Sequence, residues 1–131
     1  MYDKSLIIDA LDNIEQSLND ILEWTENIHS IDDFLTSSSG VILLNAVCMK
    51  LFTIGEELKN INKRTDKQLF PLYPTINWKE AMKMRDIIAH HYFEIDIEVI
   101  FSTLQHDIQP LLQTIKQIKS DLKQLYKADK I

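Results

Sequence analysis

Seven apolar side chains near the start of the chain keep a helical rhythm. Ile7, Leu11, Ile14, Leu18 and Ile21 follow at intervals of four, three, four and three, and Leu22 and Ile28 extend the series with acidic residues between. This spacing draws a single apolar stripe along one side of a helix, and such a stripe must be buried against other helices. The far end of the chain repeats the demand with Leu111, Ile115, Ile118, Leu122 and Leu125. Only two glycines and three prolines occur in 131 residues. Sheets consume these residues in their turns, so the expected fold is all-α.

The intervening sequence supplies the remaining helices. Ser30 is a plausible N-cap for a short helical turn ending near "TSSSG". A second long helix is predicted from about Gly40 to Asn62, apolar nearly all round at first. A helix of that kind is central, or also faces a partner chain. Residues 63–77 hold Pro71 and Pro74 without a clear period and form the longest loop. Asn77 caps a third helix from Trp78 to near Phe93, with Glu80 completing a capping box. Asp96 caps a fourth, which Pro110 kinks or restarts. The expected architecture is an up-down bundle of about four long helices plus short helical segments, a single domain over residues 1–131.

Charge and cysteine usage bear on compartment. "MYDKSLIIDALDNIE" has acids where a secretory signal would be apolar. "GVILLNAVCM" is too short to span a bilayer. The sole cysteine, Cys48, lies in that apolar run and reads as a buried thiol rather than a nucleophile. A cytoplasmic protein with no membrane association is expected. The net charge of −6 disfavours non-specific nucleic-acid binding, yet it is uneven. Residues 1–33 carry nine acids against Lys4; residues 59–67, "KNINKRTDK", carry four bases against Asp66; residues 116–130 carry five lysines against two aspartates. The basic stretches could track phosphates, or simply complement the negative ends of helix dipoles.

"KMRDIIAHHYFEID", residues 83–96, holds the side chains capable of chemistry. Ala81, Met84, Ile88 and Ile87 make the inward stripe, which leaves Arg85, His90 and Tyr92 unneeded by the core. A histidine can pass protons at neutral pH. Asp86, one turn before His90, could orient it and raise its pKa. An arginine can grip a phosphate and stabilise developing charge. Together they could support cleavage of RNA by its own 2′-hydroxyl without a metal. Arg85 and His90 are about 140° apart on a regular helix, however, and a solvated face accounts for the spacing equally well. His29 and His106 are isolated. His90, His91 and Glu94 do not make a metal site, because adjacent histidines on a helix diverge, and without a glycine-rich phosphate loop no cofactor is expected.

"RDIIAHHY" has the form R-x-x-x-x-H-x-Y and resembles the signature of the HEPN superfamily, specifically the HepT-like toxins of toxin–antitoxin systems. "FTIGEELKNI" resembles the I-G-E segment of that family's second long helix; Trp78, "YFEID" and "IQPLL" match further features in order. The resemblance implies a HEPN-like helical homodimer whose motif helices meet at a cleft, so that His90 of one chain could work with Arg85 of the other. It implies a metal-independent ribonuclease, with Arg85 as the phosphate-binding and transition-state group and His90 as the general acid/base. It further implies a type VII-like pairing with a minimal nucleotidyltransferase antitoxin that adenylylates Tyr92. Asp86 is a supporting residue, where the family often has another polar residue such as Asn. Glu56 and His91 are possible cleft-lining residues. Gly55 inside a helix reads as a site of close helix–helix approach. The alternative is a non-catalytic helical module that partners a nucleotidyltransferase.

Overall fold

The computed structural model describes residues 2–129, with side chains for residues 2–125. Among these, six α-helices follow in order: α1 Lys4–Trp24, α2 Asp32–Leu35, α3 Ser38–Arg64, α4 Trp78–His91, α5 Ile97–His106 and α6 Ile108–Asp129. Short 3₁₀ turns occupy Phe70–Leu72 and Tyr92–Glu94. The described residues include no strand, and the all-α bundle expected from the apolar spacing is the fold observed.

The first stripe is buried as its spacing requires: Ile7, Leu11, Ile14, Leu18 and Ile21 are the buried residues of α1. Burying a side chain of this size contributes on the order of 1.5–3 kcal/mol. They face α6, whose Leu111, Leu112, Ile115, Ile118 and Leu122 join the same core. Lys119 of α6 pairs with Asp12 and Glu15 of α1, and Lys50 of α3 reaches Asp20 at 3.0 Å. Part of the acidic excess of residues 1–33 is therefore spent inside the fold. Helix α1 stops at Trp24, short of Ile28, because the Thr25 hydroxyl and amide both turn back onto the Ile21 carbonyl.

Ser30 does not cap α2. Its amide and that of His29 donate instead to the Asp33 carboxylate, at 3.1 and 2.7 Å, and Ile31 occupies the cap position. An ionised aspartate accepts backbone N–H bonds more strongly than a neutral serine hydroxyl, and one Asp33 oxygen takes both amides. Helix α3 begins earlier than predicted, at Ser38, because the Ser37 hydroxyl accepts from the Gly40 amide. Val47, Cys48, Leu51, Ile54, Leu58 and Ile61 are buried on one side of it, while Ile42 and Met49 are 69% and 59% exposed on another. The apolar run is longer than the sequence reading allowed: a window of 18 residues within α3 has a mean hydropathy of 1.5, enough by length and composition to cross a membrane. Its buried residues belong to the core of the bundle.

The loop after α3 is pinned at three points. Phe70 stacks on Trp78 with ring centroids 4.1 Å apart. The Trp78 indole donates to the Tyr73 carbonyl at 2.9 Å, and the Tyr73 hydroxyl donates to Asp121 of α6 at 2.6 Å. Burial and the neighbouring Asp121 carboxylate both push the Tyr73 phenol well above its ordinary range. Asn77 then caps α4 through the Glu80 amide at 3.2 Å, and Asp96 caps α5 through Glu98 at 2.9 Å. Pro110 lies in the first turn of α6, where its missing N–H costs nothing, so it restarts the helix rather than kinking it.

Helix α4 runs antiparallel to α3, with Arg85 beside Glu56 and Tyr92 beside Asn45. Gly55 permits the approach: a Cβ there would lie 2.7 Å from Arg85 Cβ and 3.0 Å from its backbone nitrogen. Alanine improves helix propensity by about 1 kcal/mol, but overpacking at such a contact costs roughly 1–3 kcal/mol. Gly55→Ala is therefore expected to lower stability in urea titrations; a gain would show that the helices separate freely.

Candidate active site

Arg85 is held from two sides. Its Nε donates to Glu56 Oε2 at 2.7 Å and one Nη to Asp86 Oδ1 at 3.1 Å. Its guanidinium carbon lies 5.4 Å from the centre of the Phe52 ring. Lys59 Nζ lies 3.3 Å from both Asp86 oxygens, so one carboxylate serves two cations. Glu56 above all, and then Asp86, raise the Arg85 pKa; Lys59 first, and Arg85 second, hold Asp86 below the usual carboxylate range. The other Nη of Arg85 has no partner among the described hydrogen bonds. That end of the fork can receive a phosphate oxygen without disturbing the anchoring carboxylate.

His90 and His91 close α4, and both are exposed, with no described hydrogen bond or ion pair. Tyr92 follows in the 3₁₀ turn. Its ring is 44% exposed and its hydroxyl donates to the Asn45 side chain of α3. Phe93 meets Tyr92 edge-on with centroids 5.6 Å apart and is 98% exposed. Phe93 thus stands uncovered beside Tyr92 at the histidine end of the helix, and Ile42 and Met49, one turn to either side of Asn45 on α3, extend the exposed apolar border.

Two sequence expectations change here. Asp86 does not orient His90; it is taken by Arg85 and Lys59, which are closer and fully charged. Arg85 is not a free surface residue, since its side chain is only 31% exposed and packs on α3. The helix is continuous from Trp78 to His91, so it does not loosen to bring Arg85 and His90 onto one face. Glu56 touches Arg85 directly, accepting from its Nε. Phe52, Lys59 and Asn45 were missed. Their signal lay in "FTIGEELK", where Phe52, Gly55, Glu56 and Lys59 follow the i, i+3, i+4, i+7 pattern of one helix face. Asn45 lies eleven residues before Glu56, three turns along the same face. Among the described residues no group of three or more His, Cys, Asp or Glu side chains is placed to hold a metal ion.

Residues 14–118 match the ribonuclease HepT-like family, and the chain belongs to that family, within the HEPN superfamily. It is 32% identical over 111 residues to a Thermococcus cleftensis protein named "Probable ribonuclease HepT", covering 85% of this chain and 94% of that one. An RNase candidate of Methanocaldococcus jannaschii is 29% identical over 122 residues, 90% of this chain and 91% of the relative. A longer protein of the same organism, described as a gamma-glutamylcyclotransferase and RNase candidate, is 33% identical over 112 residues, 86% of this chain and 47% of its own length. No solved structure matches the chain.

The Asp86 contacts carry a pH dependence of known sign. A carboxylate whose native pKa lies below the ordinary 3.8 stabilises the fold above that value and stops doing so as pH falls through its native value. Thermal melts of wild type and Asp86→Asn are expected to differ at neutral pH and to converge in strong acid. A difference that persists unchanged there would assign the effect to packing instead.

Proposed function

We propose that this chain is a metal-independent endoribonuclease, the toxin of a type VII-like toxin–antitoxin pair, acting in the cytoplasm as a homodimer. The observation that carries the reading is the state of Arg85: anchored by Glu56 and Asp86 with one Nη unclaimed, on the helix that presents His90 to solvent, in a chain of the ribonuclease HepT-like family. The 2′-hydroxyl of the RNA attacks the neighbouring phosphorus, giving its proton to a histidine. The new O–P bond forms as the bond to the 5′-oxygen breaks, and that oxygen takes a proton as it leaves. Arg85 binds the phosphate oxygens on which charge accumulates. Lys59 remains beside Asp86, so the carboxylate keeps a partner if the incoming phosphate draws Arg85 away from it.

Within one chain Arg85 turns to α3 and His90 lies on another side of α4. A two-fold dimer that buries Ile42, Met49 and Phe93 would set His90 of one protomer against Arg85 of its partner, and the exposure of these apolar groups supports it. His91 then lies at the rim of the cleft. Tyr92 is accessible to a cognate minimal nucleotidyltransferase: its oxygen would bond the α-phosphorus of ATP as pyrophosphate leaves. The resulting AMP ester removes the donor that Tyr92 offers Asn45 and puts an anion where RNA must lie. The exposed apolar border equally fits a non-catalytic partner of that enzyme, and activity decides between the two.

Purified wild type and His90→Ala are compared on single-stranded RNA in EDTA, with intact mass recorded to exclude adenylylated protein. Loss of a general acid/base is expected to slow cleavage by roughly 10²–10⁴-fold with the helical fold retained. Undiminished cleavage by His90→Ala overturns the assignment, and no cleavage by unmodified wild type favours the binding module. Mixing inactive Arg85→Ala and His90→Ala protomers is expected to restore activity, because a mixed dimer keeps one Arg85 and one His90, on opposite protomers, at the shared composite site. Failure of mixed dimers to cut would place both groups in the same protomer.

A further inference from the structure

Beside Arg85 an open groove of about 670 Å³ runs between the C-terminal half of α3 and the start of α4. Arg85 stands at one end, and Lys59, Lys63 and Lys67 line it, with Glu56 and Asp66 as its carboxylates. Glu56 is spent on Arg85, and Lys59 is spent on Asp86. Among the described residues neither Lys63 nor Lys67 makes an ion pair, although Asp66 lines the same cleft.

The way the chain leaves α3 keeps the second of them there. Thr65 caps the helix, and Asp66 and Lys67 then both adopt left-handed backbone, at φ 52° and 62°. Two successive non-glycine residues in that region are costly. The Lys67 amide donates to the Asn62 carbonyl at 2.8 Å, which folds the turn back over the helix end. A glycine would relieve the strain but would remove the lysine from the groove. Lys59 and Lys63 stand one turn apart, with a rise of about 6 Å between them, comparable with the step between neighbouring phosphates of an extended strand.

We infer that this groove is a phosphate track for single-stranded RNA, in which Lys63 and Lys67 bind the backbone on one side of the phosphate that Arg85 receives. The inference rests on the ribonuclease reading for its ligand and goes beyond it in naming where the rest of the strand lies. It also accounts for the basic run "KNINKRTDK" in an acidic protein: this run places its attraction at a cleft that leads to the site.

Binding is separated from cleavage by using His90→Ala protein throughout and following the anisotropy of a labelled single-stranded RNA over a range of salt. Lys63→Glu/Lys67→Glu is expected to weaken binding by roughly tenfold or more and to flatten the salt dependence by about 0.7 for each lost phosphate contact. Lys116→Glu/Lys123→Glu, at two exposed lysines of α6 outside the groove, is the charge-matched control and should bind within about twofold of the parent. Lys67→Gly should melt no lower than the parent yet bind RNA more weakly, a divergence that a purely structural lysine would not produce. A groove variant that behaves like the Lys116→Glu/Lys123→Glu control, a parent that binds no RNA, or equal competition by polyglutamate would each overturn the track. Wild-type cleavage of the same RNA is scored separately: an inactive wild type that still binds through the groove removes the nuclease reading and leaves the track standing.

Discussion

At Gly55 the backbone of α3 passes so close to α4 that a single methyl group would collide with Arg85. The site depends on that contact. Glu56 is the next residue, and its carboxylate meets the Arg85 Nε at 2.7 Å only because the helix axes are drawn together here. Phe52 and Lys59, one turn to either side, reach the guanidinium and Asp86 for the same reason. Two turns further along α4, Tyr92 finds Asn45 on the same face of α3. One missing side chain thus sets the register of a whole helix pair, and the register fixes which polar groups can meet.

The electrostatics follow from that packing. An arginine beside two carboxylates is rigid and partly neutralised, which lowers its pull on stray anions while keeping its geometry. Arg85 needs such restraint in an acidic protein less than it needs orientation: a flexible guanidinium loses entropy each time it binds, and a pre-set one does not. The sharing of Asp86 between Arg85 and Lys59 means that either cation can let go without stranding a charge. Exposed ion pairs of this kind contribute little to stability, so their value lies in placing the donor.

Much of this was legible in the sequence. The apolar intervals of α1 and α6 named most of their buried residues, since burial there follows largely from period, although Leu125 at the end of the α6 series is 53% exposed. The caps at Asn77 and Asp96 were readable because the sequence puts the acceptor directly before the apolar run. Arg85, His90 and Tyr92 could be picked out as surplus to the core. What period cannot supply is the identity of contacts between helices. Asp86 looked like a partner for His90 on a helix drawn alone, and only the nearness of α3 redirected it to Lys59. Ser30 reads as a cap because a cap is sought before a helix, whereas Asp33 takes the amides from inside the first turn. The fate of Lys67 was hidden as well, since nothing in "KNINKRTDK" announces a left-handed turn without glycine.

The pairing of α1 with α6 bears on how the protein comes into being. Lys119 and Glu15 are 104 residues apart, yet they meet at 3.1 Å across the apolar seam of the bundle. Contacts this distant in sequence are made late, because a long loop must close before they give any return. During synthesis α1 emerges before α3 and α6, and its Ile–Leu seam, which packs on both, is only partly covered until α6 has left the ribosome. The helix pair that carries Arg85 is translated well before that point but has an incomplete core behind it. A nascent chain therefore carries the chemical groups without a finished scaffold, and the geometry around Arg85 has its full support only once α6 docks.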